Sequence, residues 1–389
     1  MSARQWAYLD HAATTPLDPR VLQAMLPYFN EDYGNPASVH GYGQRAEAAV
    51  EAARANLAAH LHCASHELVF TSGGTESNNL ALRGAALAAR QQRGARHLLV
   101  SPVEHDAVAK TARALAEQFD FELEWLPVDG FGRVDPADVA RRLRPETALV
   151  SVILGNNEIG SLNPLAEIGA ICRERGVPLH SDAVQAAAHL PIDVSGLQVD
   201  LLSISAHKFY GPKGTGVLYV RQGTPLLPQQ IGGSHEEGRR AGTLNVPLIV
   251  GMAKALELTK NEMEEQGQRL RPLQDELIQG VLNAIPDAQL TGHPRERMAN
   301  HASFVFEGVD GNALLMLLDD AGFACSSGSA CKTANPEPSQ VLLALGLTPQ
   351  WALGSLRVTL GRESTPEQVQ ALLSVLPALV ARARQLELA

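Results

Sequence analysis

Asp200-Leu-Leu-Ser-Ile-Ser-Ala-His-Lys208 begins as a short apolar strand and closes on an amine, and the rest of the chain is read outward from it. Just upstream, Val177-Pro-Leu-His-Ser-Asp182 has the same form and closes on a carboxylate. Short apolar runs bounded by turn residues suit strands that are buried on both faces. Further runs of this kind are Glu67 to Thr71, His97 to Val100, Phe121 to Val128 and Ala148 to Leu154. Helical patterns separate most of them; Gly43 to Leu61 places Ala46, Val50, Ala53, Leu57 and Leu61 on one face. Strands alternating with helices predict an α/β fold with a mainly parallel sheet flanked by helices.

The charged helical stretch from Glu257 to Arg271 is expected to lead into a smaller α/β unit, with strands at Ser303 to Phe306 and Ser355 to Leu360. The division expected is 15–260 for the large domain, with 1–14 and 261–389 forming the small one. The last helix should start at Thr365-Pro-Glu-Gln368, where a capping Thr is followed by Pro and then Gln.

Composition narrows the function. About 45% apolar and 19% charged residues describe a globular protein, and 389 residues provide ample core. A net charge of −10 argues against a direct nucleic-acid surface, which needs clustered Lys and Arg. No apolar run is long enough for a membrane span, and the amino terminus has neither a signal peptide nor a transit pattern, so a cytoplasmic location is expected. Four scattered cysteines, Cys63, Cys172, Cys325 and Cys331, do not make a disulfide framework.

In open α/β sheets, ligands bind beyond the carboxyl ends of the strands. An acid, Asp182, and a lysine, Lys208, at two such ends are what pyridoxal 5'-phosphate requires: the lysine forms the Schiff base and the acid keeps the pyridine nitrogen protonated. Taken singly, each has an ordinary reading, a strand-end lysine in solvent and a helix-capping aspartate. Ser72-Gly-Gly-Thr-Glu-Ser77, between a strand and a helix, offers backbone N–H groups and hydroxyls to a phosphate, although such turns are common. His105 follows a strand and could stack on a planar ring or move protons. Arg357, on an apolar strand, is either paired or free to grip a carboxylate. Cys331, in Ser326-Ser-Gly-Ser-Ala-Cys331-Lys332, lies among small polar residues where a thiolate nucleophile could act. Cys325 nearby lacks companions for a metal site, so no metal is expected.

The chain resembles a cysteine desulfurase of the kind that serves nitrogen fixation and iron–sulfur cluster assembly, within the class V aminotransferase group. The motifs carrying the resemblance run nearly end to end: Tyr8-Leu-Asp-His-Ala-Ala-Thr-Thr-Pro16, Gly34-Asn-Pro-Ala-Ser38, Thr71-Ser-Gly-Gly-Thr-Glu-Ser77, Asn156-Asn-Glu-Ile-Gly160, His180-Ser-Asp-Ala-Val-Gln185, Ser205-Ala-His-Lys208, Gly238-Arg-Arg-Ala-Gly-Thr243 and the Cys331 run. It implies the type I fold of pyridoxal-phosphate enzymes, with a seven-stranded sheet. It further implies that Lys208 carries the cofactor, Asp182 and Gln185 hold its ring nitrogen and phenolic oxygen, and His105 stacks on it. Gly74, Thr75, Ser205 and His207 would bind the phosphate, as would Thr243 from the partner subunit of a homodimer. Asn35, Asn157 and Arg357 would orient L-cysteine, and Cys331 would take its sulfur as a persulfide, releasing L-alanine and later supplying a sulfur-acceptor protein.

Departures from the family pattern are Ala206 in place of Gly, Lys332-Thr-Ala-Asn-Pro336 in place of a run richer in Ser and Thr, and Cys325 in place of a small apolar residue. The last could let Cys325 resolve a persulfide. The end at Ala389, without a longer tail, leaves the acceptor open: an iron–sulfur scaffold or another sulfur carrier. Alternatives are selenocysteine cleavage, another class V aminotransfer reaction, and a non-catalytic sulfur-carrier or scaffold-binding protein.

Overall fold

The computed structural model describes residues 6–328 and 337–387. Cys331 therefore lies outside the described residues. In chain order the strands are β1 (Ala7–Tyr8), β2 (Leu68–Thr71), β3 (His97–Val100), β4 (Glu122–Trp125), β5 (Thr147–Ser151), β6 (Leu179–Asp182), β7 (Leu201–Ser205), β8 (Gly216–Val220), β9 (Ala288–Leu290), β10 (His301–Phe306), β11 (Phe323–Ala324) and β12 (Ser355–Thr359).

Seven of them form the main sheet in the order β2-β8-β7-β6-β5-β3-β4. All neighbours from β4 to β7 are parallel, whereas β8 runs antiparallel to both β2 and β7. The mainly parallel, helix-flanked sheet is as expected; β8 adds a strand that the alternation of strands and helices did not suggest. Only a loop and a single 3₁₀ turn (Ala206–Lys208) join β7 to β8. Without a crossover helix the chain can only return antiparallel.

Side chains alternate across the sheet, so neighbouring residues of one strand belong to different cores. Leu202 and Ile204 join the core beneath the helices Gly41–Leu61 and Val246–Ala284, while Leu201 joins the core beneath the helix Gly74–Arg93. A separate core gathers Leu9, Phe304, Phe306, Leu356 and Val358 with Leu372 and Leu376 of the last helix, Pro366–Glu387. Its sheet is β12-β10-β9, and β1 pairs with β11 beside it. The start of the last helix is as read from sequence: Thr365 Oγ1 accepts from the Gln368 N–H, and the Gln368 side chain accepts from the Thr365 N–H.

The helix Val246–Ala284 is continuous through position 260. Val246, Ile249, Met252 and Leu256 at its start pack into the main core; Leu270, Leu273, Leu277 and Val281 at its end pack into the small one.

Candidate active site

β6 and β7 are adjacent and parallel, with Asp182 opposite Ser203. Asp182 thus ends one strand, and Lys208 emerges from the 3₁₀ turn that directly follows its neighbour. They share a cavity of about 340 Å³ whose walls include Gly74, Thr75, His105, Asn157, Asp182, Gln185, Ser205, His207, Lys208 and Arg357. Ten residues singled out from sequence are thereby brought together. Asn35 and Thr243 are not among the lining residues; both are exposed on loops.

Lys208 Nζ donates to the carbonyls of Ala12 (2.6 Å) and Ala13 (2.8 Å). Burial, reinforced by the positive charge of Arg357, lowers its pKa to about 8, with Asp182 and Asp10 pulling the other way. Asp182 is fixed at both oxygens: Oδ2 accepts from the Asn78 side chain (2.6 Å) and Oδ1 from the Val184 N–H (2.9 Å). The second contact closes a local turn and is not the helix cap that sequence offered as the ordinary reading: the 3₁₀ turn that follows, Ala186–Ala188, has Gln185 at its N-cap.

The turn between β2 and the helix Gly74–Arg93 forms the opposite wall. Gly73 has φ +147°, a conformation that side-chain-bearing residues rarely adopt. A Cβ on Gly74 would come within 2.7 Å of Val184 Cγ2. Backbone N–H groups at the helix start can therefore approach an anion closely. Ser205 faces this turn, its Oγ 3.7 Å from where a Gly73 Cβ would stand. Burial, with Lys208 and Lys213 adding to it, lowers His207 to about 4, so it is a neutral imidazole; Nδ1 lies 3.1 Å from Thr14 Oγ1.

His105 caps the helix Asp106–Phe119 by accepting from the Ala107 N–H through Nδ1, which holds the imidazole at the cavity edge. Gln185 donates to the Ala12 carbonyl (2.7 Å). Arg357 is paired, as one of the two sequence readings had it: Nη2 donates to Asp10 Oδ1 (2.8 Å) and Nη1 to the Asn157 carbonyl (2.9 Å). Its Nε is buried and has no hydrogen-bond partner among the described residues.

Sequence reading missed Asn78, whose only signal is an amide on the buried face of an Ala/Leu-rich helix. It also missed Glu104, which accepts from the Ile153 N–H (2.6 Å) through Oε1 and has no partner for Oε2 among the described residues. Burial and then the charge of Asp182 push the Glu104 carboxyl well above the ordinary carboxylate range. The suggestion that Cys325 resolves a persulfide is not supported. Burial, and to a lesser extent Asp10, push its thiol pKa up, and a protonated thiol is a poor nucleophile. Cys63 and Cys172 are likewise raised by burial to about 12, in keeping with structural roles.

The donors fit pyridoxal phosphate: an amine of lowered pKa, a fixed carboxylate on a neighbouring strand end, and a glycine-opened helix start. Among the described residues no group of side chains is arranged to hold a metal ion, and no helix is long and apolar enough to cross a membrane.

A family model described as aminotransferase class-V matches residues 7–372. A cysteine desulfurase IscS from Methanosarcina thermophila is 45% identical over 379 residues, covering 97% of this chain and 93% of the relative. Among solved structures, a NifS-like protein superposes with a TM-score of 0.89 at 34% identity, covering 97% of this chain and 100% of its own. SspA in complex with cysteine has a TM-score of 0.77 at 32% identity, covering 91% and 98%.

Proposed function

We propose, for a chain that belongs to the aminotransferase class-V family, the activity of a cysteine desulfurase: L-cysteine gives up its sulfur and leaves as L-alanine. The observation that carries this reading is the single cavity in which Lys208, Asp182, His105 and Arg357 converge. Pyridoxal phosphate, when bound, supplies an electron sink that acidifies the substrate Cα–H.

Lys208 would hold the cofactor, and its amine, once free, would serve as the base for the Cα proton; a pKa near 8 keeps a useful fraction unprotonated at neutral pH. Asp182, steadied by Asn78, would hold the ring nitrogen in its charged state. The start of the helix Gly74–Arg93, with Thr75, Ser205 and His207, would take the phosphate, and Gln185 would face the phenolic oxygen. His105 would cover the ring. Arg357 and Asn157 would orient the substrate, the Arg357 guanidinium meeting its carboxylate.

Cys331 would act as a thiolate on the substrate sulfur. A sulfur–sulfur bond forms as the Cβ–S bond breaks, and the electron pair left on carbon takes up a proton to complete the methyl group of alanine. The persulfide on Cys331 then passes sulfur to an acceptor protein. On this reading the enzyme is a cytoplasmic homodimer, with Thr243 reaching the phosphate in the partner's site and Asn35 helping to orient the substrate. Residues 15–260 would form the cofactor domain, and 1–14 with 261–389 the small domain. Support for that division comes from the separate core that joins Leu9 to Phe304 and Leu356.

Incubating the purified protein with L-cysteine and measuring alanine tests the reading. Cys331→Ala should keep the yellow cofactor absorbance and lose alanine formation. Turnover at the wild-type rate in that variant would remove Cys331 from the role.

A further inference from the structure

Glu158, of the Asn156-Asn-Glu-Ile-Gly160 motif, has been given no role so far. Its carboxylate stands at the junction of two stems. Ser339 Oγ donates to Glu158 Oε2 at 2.5 Å. The backbone at Gly328 passes close by: a Cβ there would come within 2.9 Å of the same oxygen. Gly328 and Ser339 flank the stretch that carries Cys331 in the sequence. The Gly328 N–H is bound to Ser355 Oγ (3.1 Å), and Ser326 exchanges backbone hydrogen bonds with Arg357. Glu158, next to Asn157 on the rim of the substrate cavity, is therefore hydrogen-bonded to the returning stem and packed beside the outgoing one. A second cavity, of about 870 Å³, places Glu158, Gly328 and Ser339 beside His105, Asn157 and Arg357.

We propose that Glu158 is a positioning residue for sulfur transfer: it fixes the spacing of the two stems, so that the thiol borne between them is delivered to the substrate sulfur. The inference rests on the desulfurase reading. Asn157 and Arg357 serve substrate binding, whereas Glu158 touches the stems, so its removal should separate cysteine binding from sulfur transfer. The carboxyl itself is poorly solvated: burial raises it to about 7, against Ser339 and Arg357, which lower it, and with Asp106 raising it.

The test compares Glu158→Ala, Glu158→Gln and Ser339→Ala in the cofactor-loaded full chain. Glu158→Ala and Ser339→Ala should lower kcat for alanine about tenfold or more, with KM for cysteine within about twofold and the cysteine-induced change in the visible spectrum intact. Glu158→Gln, whose amide oxygen still accepts from Ser339, should recover to within about threefold of wild type. Wild-type kcat in both truncations, loss of the cysteine-induced spectral change, or a glutamine variant as impaired as the alanine one would each overturn the proposal. If the unaltered protein makes no alanine from cysteine, the desulfurase reading fails instead, and that result is distinguishable from all of these.

Discussion

Lys208 holds its amine among carbonyl oxygens yet has a lowered pKa, because burial and Arg357 outweigh the pull of Asp182 and Asp10. A base whose pKa falls from 10.5 to about 8 becomes a nucleophile over the lower range of pH. The rate at which apoprotein captures pyridoxal phosphate, followed by growth of the visible band, should therefore rise with pH through a midpoint near 8 rather than near 10. A midpoint above about 10, the value for an unperturbed lysine, would show that the cavity does not tune the amine. Asn78 gives a second expectation. Asn78→Ala leaves Asp182 Oδ2 without its 2.6 Å donor, and removing a buried hydrogen bond to a charged group costs about 1.5–3 kcal/mol. Cofactor affinity should weaken by at least about tenfold in an equilibrium titration, whereas Gln92→Ala, exposed near the end of the same helix, should leave it unchanged. Of the two, Lys208 was legible in sequence because it ends an apolar strand. Asn78 was not, because its importance comes from a contact with a residue a hundred positions away.

Among the elements, the strand-to-helix turn at Ser72 to Gly74 is the most exacting. Gly73→Ala forces a side chain into φ +147°, a strain of about 1–3 kcal/mol, and a thermal melt of the apoprotein should show a drop of several degrees. Ser72→Ala, one residue earlier, carries no such penalty and serves as the control. The strands from β2 to β7 were readable from their apolar runs, although their ends shift: β4 is confined to Glu122–Trp125, inside the Phe121 to Val128 run. β8 went unread because its antiparallel return depends on what the intervening loop lacks, not on its own residues. The 3₁₀ turn that presents Lys208 was equally hidden, since Ala206-His-Lys208 carries no helical periodicity. Its buried Ala206 shows that this chain tolerates a methyl group there; Gly211 instead makes the room, since a Cβ on it would lie 2.8 Å from that methyl.

Across the whole molecule, one buried ion pair ties distant segments together. Arg54, in the helix Gly41–Leu61, bonds both oxygens of Glu236 (2.7 and 3.0 Å), and Glu236 also accepts from the Phe70 N–H of β2 (2.7 Å). Glu236 and Glu237 hold left-handed backbone conformations at φ 50° and 55°, so the loop leading to Thr243 is pinned in a shape it would not adopt alone. Arg54→Met should cost about 3–5 kcal/mol by stranding a buried carboxylate, and Arg54→Met with Glu236→Met should recover part of that loss in a denaturant melt. No additional loss from the single change would mean that the pair contributes little to stability. Such long-range ties are opaque to sequence periodicity, which reports faces of single elements. The helix Val246–Ala284 has a different consequence. At 39 residues it is a rod of about 60 Å whose two ends are each built into a different hydrophobic interior. Neither interior can dissolve without baring the other's share of the rod, so the chain has no clean place to be cut. Severed at position 260, the amino-terminal piece would retain the first 15 of the rod's 39 residues but lose Leu9's partners, and the remainder would inherit a helix with no beginning.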